Sequence, residues 1–341
     1  MRGNALAIQC RPFLERPAMS HSRKKKLLTA ACVLGLSVLT GCAHQYFRAK
    51  PPQAEIGFIE LSPDITLRRS VVHNSKPKGT VLLLHGFPET LYAWTDISTT
   101  LGKDYEVHAF DWPGYGLSSR PPIDKFSYSP RDYARVLKAY IDKAGIDASS
   151  LTIYATDIGA LPPLLLALDE PSLARTIIVG DFAPFDRPGY MVDYLQALKS
   201  KPSSDVVNAA MNKNRDEILE NASRRGFTKE EQFELPQAFK DDMARGWNQG
   251  SMTSADAFYH YYSHFTEDQE YFEKNLARLK TPVRVIWGER DFYIKKEMGI
   301  EFADKAHVGL TVLPGFGHYP HLQDPARTSA EIRAAAEKGK S

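Results

Sequence analysis

Apolar positions along the chain follow two rhythms. Short apolar runs recur at Gly57–Leu61, Ile65–His73, Thr80–Leu84, Val107–Phe110, Leu151–Ala155, Thr176–Val179 and Val283–Trp287, with a weaker one at Thr311–Leu313. Thr80–Leu84 does not alternate, as expected of a strand buried on both faces. Between the runs the period becomes helical. In Ser129–Lys143, Ser129 can cap, Pro130 takes the first position, and Tyr133, Val136, Leu137, Tyr140 and Ile141 share one face before Gly145 stops the helix. Strands alternating with helices predict an α/β fold with a mostly parallel sheet covered on both faces. The alternation breaks over 184–277, which is helix-rich and carries Trp247, Phe258, Tyr259, Tyr261, Tyr262 and Phe265. The predicted organisation is a core of 55–183 and 278–338, with 184–277 as a helical lid over the carboxyl ends of the strands.

Before the first strand the pattern is different. Ser22-Arg23-Lys24-Lys25-Lys26 is a charged stretch, and Leu27–Leu39 is apolar but too short for a comfortable membrane span. It ends in Leu39-Thr40-Gly41-Cys42, which resembles the lipobox of bacterial lipoprotein precursors. That resemblance implies removal of a signal peptide, 1–41, and acylation of Cys42, enough for stable membrane anchoring. An ordinary signal peptide or an uncleaved anchor is the alternative. Ala43 is not the aspartate that retains many Gram-negative lipoproteins at the inner membrane, so the resemblance points to the outer membrane, facing the periplasm. Residues 1–18 lack this logic, and Met19 is an alternative start. Residues 42–54, with Pro51-Pro52, read as a tether.

Composition changes the picture only once the leader is set aside. The 341 residues include 43 basic and 41 acidic side chains, and 1–41 hold seven of the former and one of the latter. The remaining 36 against 40 make the body mildly acidic, with no global attraction to nucleic acid. Cys10, Cys32 and Cys42 all lie in the leader or at its end, so the body has neither a disulfide nor a thiolate metal site. No metal cluster or phosphate-binding loop stands out, and no cofactor is expected. Oligomeric state is not readable from the sequence.

In an open α/β sheet ligands bind beyond the carboxyl ends of the strands. There the chain carries His85-Gly86-Phe87-Pro88, Asp111-Trp112-Pro113-Gly114-Tyr115-Gly116, Thr156-Asp157-Ile158-Gly159-Ala160, Gly288-Glu289-Arg290-Asp291 and Pro314-Gly315-Phe316-Gly317-His318. In this order and spacing the five segments resemble the α/β-hydrolase superfamily over roughly 55–335. The resemblance implies a nucleophile in the strand-to-helix elbow, where Ala155-Thr156-Asp157-Ile158-Gly159 holds Asp157 in place of the usual serine, and Ala155 in place of the first glycine. The bland alternative is that Asp157 caps the following helix. The resemblance also implies Asp291 as the acid, with Asp181 as the alternative acid. His318 is the base in preference to His321, and the N–H groups of Phe87 and Ile158 form the oxyanion hole. Asp111 and its glycines read as a structural turn.

A carboxylate nucleophile displaces well at saturated carbon and gives an alkyl ester that water then hydrolyses. Epoxide hydrolases and haloalkane dehalogenases use that chemistry in this fold. Halide release needs side-chain N–H donors, which Phe87 and Ile158 lack. Epoxide opening needs proton donors. Tyr261-Tyr262-Ser263 resembles the epoxide hydrolases' Tyr-Tyr-Arg run, and Asp193-Tyr194-Leu195 more weakly resembles the segment carrying their second tyrosine. Tyr262 and Tyr194 are therefore the expected donors. Those enzymes commonly have tryptophan where Ile158 stands and histidine where Thr156 stands, which marks a divergent subfamily. The expected function is an epoxide hydrolase-like enzyme acting on a small hydrophobic substrate. A dehalogenase or other Asp-nucleophile hydrolase, and a catalytically silent ligand- or partner-binding lipoprotein, remain as alternatives.

Overall fold

The structure is a computed structural model and describes residues 53–338. The leader, Cys42 and almost all of the expected tether lie outside the described residues. The chain begins with β1 (Glu55–Ser62), β2 (Ile65–Val72), β3 (Thr80–Leu84), α1 (Thr95–Leu101), β4 (Glu106–Phe110) and α2 (Pro130–Lys143). It continues through β5 (Leu151–Thr156), α3 (Leu161–Asp169) and β6 (Thr176–Gly180). Six helices follow, α4 (Asp193–Ala197), α5 (Ser203–Lys213), α6 (Arg215–Asn221), α7 (Gln237–Gly246), α8 (Ser254–Ser263) and α9 (Phe265–Asn275). A small hairpin of β7 (Asn248–Gln249) and β8 (Met252–Thr253) precedes α8. The core resumes with β9 (Val283–Gly288), α10 (Lys296–Ala306), β10 (Gly309–Leu313), α11 (Pro320–Gln323) and α12 (Pro325–Lys338).

The sheet has eight strands in the order β1-β2-β4-β3-β5-β6-β9-β10. The strands from β4 to β10 in that order pair in parallel; β2 is antiparallel to both β4 and β1. This is the mostly parallel α/β sheet expected from the alternation. Central strands match their apolar runs because both faces are covered: every residue of β5 and β6 is buried. The weak run at Thr311–Leu313 proves to be part of a longer strand, Gly309–Leu313. As an edge strand, β10 is largely uncovered, and it opens on the exposed Gly309, so the apolar run reads shorter than the strand. Ser129 caps α2 by accepting the Asp132 N–H, and Pro130 occupies the first turn.

The helices between β6 and β9 are fastened to the core by a buried ionic knot. From β2, Arg68 places Nε 2.5 Å from Asp111 and pairs bidentately with Asp242 of α7 at 2.7 and 2.6 Å. Thr90 also donates to Asp242, at 2.7 Å. Asp111, at the end of β4, accepts the N–H groups of Leu91 and Leu117, consistent with its reading as a turn former. Burial opposes the charge on Arg68, but the bonds to Asp242 and the charge of Asp111 outweigh it and raise its pKa.

Candidate active site

The turn after β5 brings Asp157 out of the sheet. Its φ is +52°, in the left-handed region that only small polar residues and glycine enter readily. Such strain at a strand-to-helix turn persists because the surroundings fit it. Gly86 lies alongside, and a Cβ there would sit 2.5 Å from the Asp157 Cβ. A Cβ on Gly159 would meet the His85 carbonyl oxygen at 2.6 Å. Glycine at these two positions lets the elbow and the β3 loop pack backbone to backbone. No capping bond forms from Asp157 to the helix behind it.

The two oxygens of Asp157 have different surroundings. Oδ1 accepts the Phe87 N–H at 2.7 Å. Oδ2 faces His318 Nε2 at 3.4 Å. On the far side of the ring, His318 Nδ1 is 2.8 Å from Asp291 Oδ2. Asp291 Oδ1 accepts the N–H groups of Tyr293 and Ile294 at 2.8 and 3.0 Å, which orients the carboxylate. Burial works against protonation of His318, but the charge of Asp291 and the contact with Asp157 win, and its pKa is raised well above the usual histidine value. Asp181 also has φ +52° and accepts the Gly288 N–H at 2.8 Å. Burial, and then the charge of Asp291, push its pKa well above the carboxylate range, which favours its neutral form.

Ligand atoms of Asp181, Asp291 and His318 lie within 4.8 Å of one another. Each group is already engaged in the hydrogen bonds just described, an arrangement suited to holding and orienting a proton. His321 lies apart from Asp157. Its Nε2 is 2.6 Å from Glu89 Oε1, and Glu89 Oε2 accepts the Gly86 N–H at 2.9 Å. Both side chains are fully buried. This pair holds the loop that aims the Phe87 N–H, and Tyr319 adds a 2.7 Å bond to the Phe87 carbonyl. The Phe87–Pro88 peptide is cis. Sequence reasoning passed over Glu89: its only sign is an acid just after an apolar strand and turn, and its partner lies 232 residues away.

Three of the tyrosine hydroxyls around Asp157 are committed. Tyr261 donates to the Ile158 carbonyl, Tyr293 to that of Ala222 and Tyr319 to that of Phe87. Tyr262 lies beside Asp157 on α8, with its ring buried. Burial and the Asp157 charge push its pKa well up, so it holds its proton. Tyr194 of α4 lines the larger cavity at Asp157 and is 38 % exposed. Desolvation of its hydroxyl raises its pKa, against an opposing pull from Arg225. That cavity, about 350 Å³, is also lined by Phe87, Phe258 and His318. Among the described residues no tryptophan lines it, and the indole N–H groups of Trp112 and Trp287 go to the carbonyls of His85 and Ile294.

The family described as alpha/beta hydrolase fold matches residues 79–325. A fluoroacetate dehalogenase of Burkholderia sp is 33% identical over 123 residues, 36% of this chain and 39% of that one. Epoxide hydrolase 4 of Mus musculus is 27% identical over 179 residues, 52% of this chain and 44% of that protein. The chain thus matches less than half the length of these curated relatives. Among solved structures, Cfl2 of Burkholderia cenocepacia superposes with a TM-score of 0.70 at 20% identity, over 84% of this chain and 97% of that one.

Proposed function

The chain belongs to the alpha/beta hydrolase fold family, and from that premise we propose that it is an epoxide hydrolase-like enzyme working through an alkyl ester on Asp157. One observation carries the reading. The elbow carboxylate has one oxygen on a backbone N–H and the other toward a histidine, with Tyr194 and Tyr262 lining the two cavities that meet at it.

Asp157 Oδ2 attacks the less hindered epoxide carbon. The carbon–oxygen bond breaks, and Tyr262, assisted by Tyr194, gives the departing oxygen a proton. Alkylation removes the charge of Asp157, one of the two carboxylates that keep His318 protonated, so the imidazolium gives up its proton, which solvent returns to the Tyr262 phenolate, and the neutral ring can act as a base. His318 then takes a proton from water, and the hydroxide attacks the ester carbonyl carbon. The charge that develops on Oδ1 falls to the Phe87 N–H, with the Ile158 N–H as second donor. Collapse expels the product oxygen with Oδ2, and the proton of the new Asp157 carboxyl group moves to it, which completes the diol and restores the carboxylate beside the protonated His318. Asp291 orients the ring, while Asp181 remains neutral behind it.

The test is a panel of epoxides and haloalkanes scored for diol and halide. The likeness to a fluoroacetate dehalogenase favours halide release as the second reading. Halide yields comparable with diol yields would reverse the assignment. Tyr262→Phe should lower kcat on epoxides by about 10²-fold, the low end for a lost general acid, because Tyr194 remains. Adding Tyr194→Phe should deepen the loss. An undiminished double variant would remove both tyrosines from the chemistry.

We also propose that Cys42 carries a lipid anchor and holds the enzyme at the cell envelope, facing the periplasm. The support is the Leu39–Cys42 pattern behind its basic stretch. Cys42→Ala should turn a membrane-bound protein into soluble or unprocessed material. Soluble wild-type protein without acyl mass would contradict this.

A further inference from the structure

Two cavities of very unequal size meet at Asp157. The larger, about 350 Å³, runs along the α5 residues Val207, Ala210 and Met211. Its outer end is open, since Val206 on its wall is 69 % exposed. The smaller, about 10 Å³, lies on the Tyr262 side and is closed by Leu161, Phe182, Ala183, Phe265 and Ile294. Ten cubic ångströms is the room of roughly one water-sized probe, less than a carbon branch needs. All five closing residues except Ile294 come from α3, α9 or the turn after β6, and every one is buried. The recess is therefore walled by buried, packed side chains.

Along the α5 and α6 side of the large cavity, polar groups on the wall already have partners. Arg225 pairs with both oxygens of Glu217 at 2.7 and 2.6 Å, and Asn214 donates to the Ala210 carbonyl. An apolar tail fits this wall without breaking a hydrogen bond, whereas a polar tail would have to displace one.

The geometry points to a terminal epoxide bearing one unbranched hydrocarbon substituent as the substrate class. The inference rests on the epoxide reading above and extends it. The tail occupies the large cavity and the unsubstituted CH₂ lies against the recess. Asp157 Oδ2 forms its bond to that CH₂ as the C–O bond breaks and a tyrosine proton moves to the oxygen left on the inner carbon.

The experiment compares 1,2-epoxyoctane with cis-2,3-epoxyoctane on the wild-type protein, in heavy-oxygen water over many turnovers. The internal epoxide differs in placing one carbon on the recess side. A misfitting methyl-sized group costs about 10- to 200-fold in specificity, so kcat/KM should fall by at least about tenfold for it. Label should enter the terminal hydroxyl of octane-1,2-diol, because that oxygen comes from Asp157. Leu161→Ala, checked for folding, should raise the internal-to-terminal ratio by widening the recess; the ratio cancels any general loss of activity. Equal rates on the two epoxides, label on the inner carbon, or an unchanged ratio in a folded Leu161→Ala would overturn the substrate class while leaving epoxide hydrolysis standing. No diol from either substrate would defeat the epoxide reading and this inference with it.

Discussion

His318→Gln should stop the reaction half-way, with the substrate left as an ester on Asp157. The two steps make different demands on the ring. Alkylation needs an ionised carboxylate and a proton for the leaving oxygen, neither of which comes from the imidazole. Ester hydrolysis needs a base within reach of the ester carbonyl, and His318 Nε2 lies 3.4 Å from Asp157 Oδ2. Glutamine keeps a polar end of similar size but cannot take up a proton. Loss of a positioned general base costs up to about 10⁴-fold, so turnover should fall by that order while the first step survives. Mass spectrometry of the Asp157 peptide should show the added mass of the intact epoxide. The resting ring is protonated because Asp291 and Asp157 outweigh burial, and alkylation removes Asp157 from that balance. Ester hydrolysis in the wild-type protein should therefore speed up as pH rises through the ring's pKa in the ester state. Alkylation should show no such dependence. A variant that turns over normally, or is inert without forming the adduct, would exclude this role for His318.

Arg68→Met should unfold far more easily than the wild type. Removing the guanidinium leaves Asp111 and Asp242 facing each other, buried and without their shared cation. Breaking a buried ion pair from one side costs about 3–5 kcal/mol, because the stranded charge has no solvent to turn to. Urea unfolding should show a loss of that size. Because Asp242 belongs to α7, the damage should also loosen the helices over Asp157. Arg68→Met with Asp111→Asn and Asp242→Asn should recover much of the loss, since no buried charge then remains unpaired. A single variant within about 0.5 kcal/mol of wild type, the range of ordinary surface substitutions, would show that the knot does not hold these helices.

What was legible in the sequence depended on how local the signal was. Strands covered on both faces, such as Thr80–Leu84, declare themselves as apolar runs, and β10 does not because a sheet edge has little to bury. The neighbourhood of Asp157, Asp291 and His318 follows from topology: in a parallel sheet all loops at the carboxyl ends meet, so residues far apart in sequence can be assigned to one place. The Glu89–His321 pair follows no such rule, since neither residue sits in a spacing that carries geometry. Nor does Arg68, whose partner lies 174 residues on, in α7. The asymmetry of the two cavities comes from how α3, α5 and α9 pack, and apolar helices look alike in sequence whichever wall they form. For the tyrosines, abundance hid the signal. Tyr261 and Tyr262 are neighbours, and only the bond from Tyr261 to the Ile158 carbonyl separates a committed hydroxyl from an uncommitted one.

The covalent ester on Asp157 is the claim on which the mechanism stands. A single turnover of the wild-type protein in heavy-oxygen water, with enzyme in excess over epoxide, tests it most directly. Water attacks the ester carbonyl carbon and the original Oδ2 leaves with the product, so the label should appear in the Asp157 carboxylate and be missing from the first diol formed. Label found directly in that diol, with none in Asp157, would mean that water opens the epoxide itself and that Asp157 is not the nucleophile.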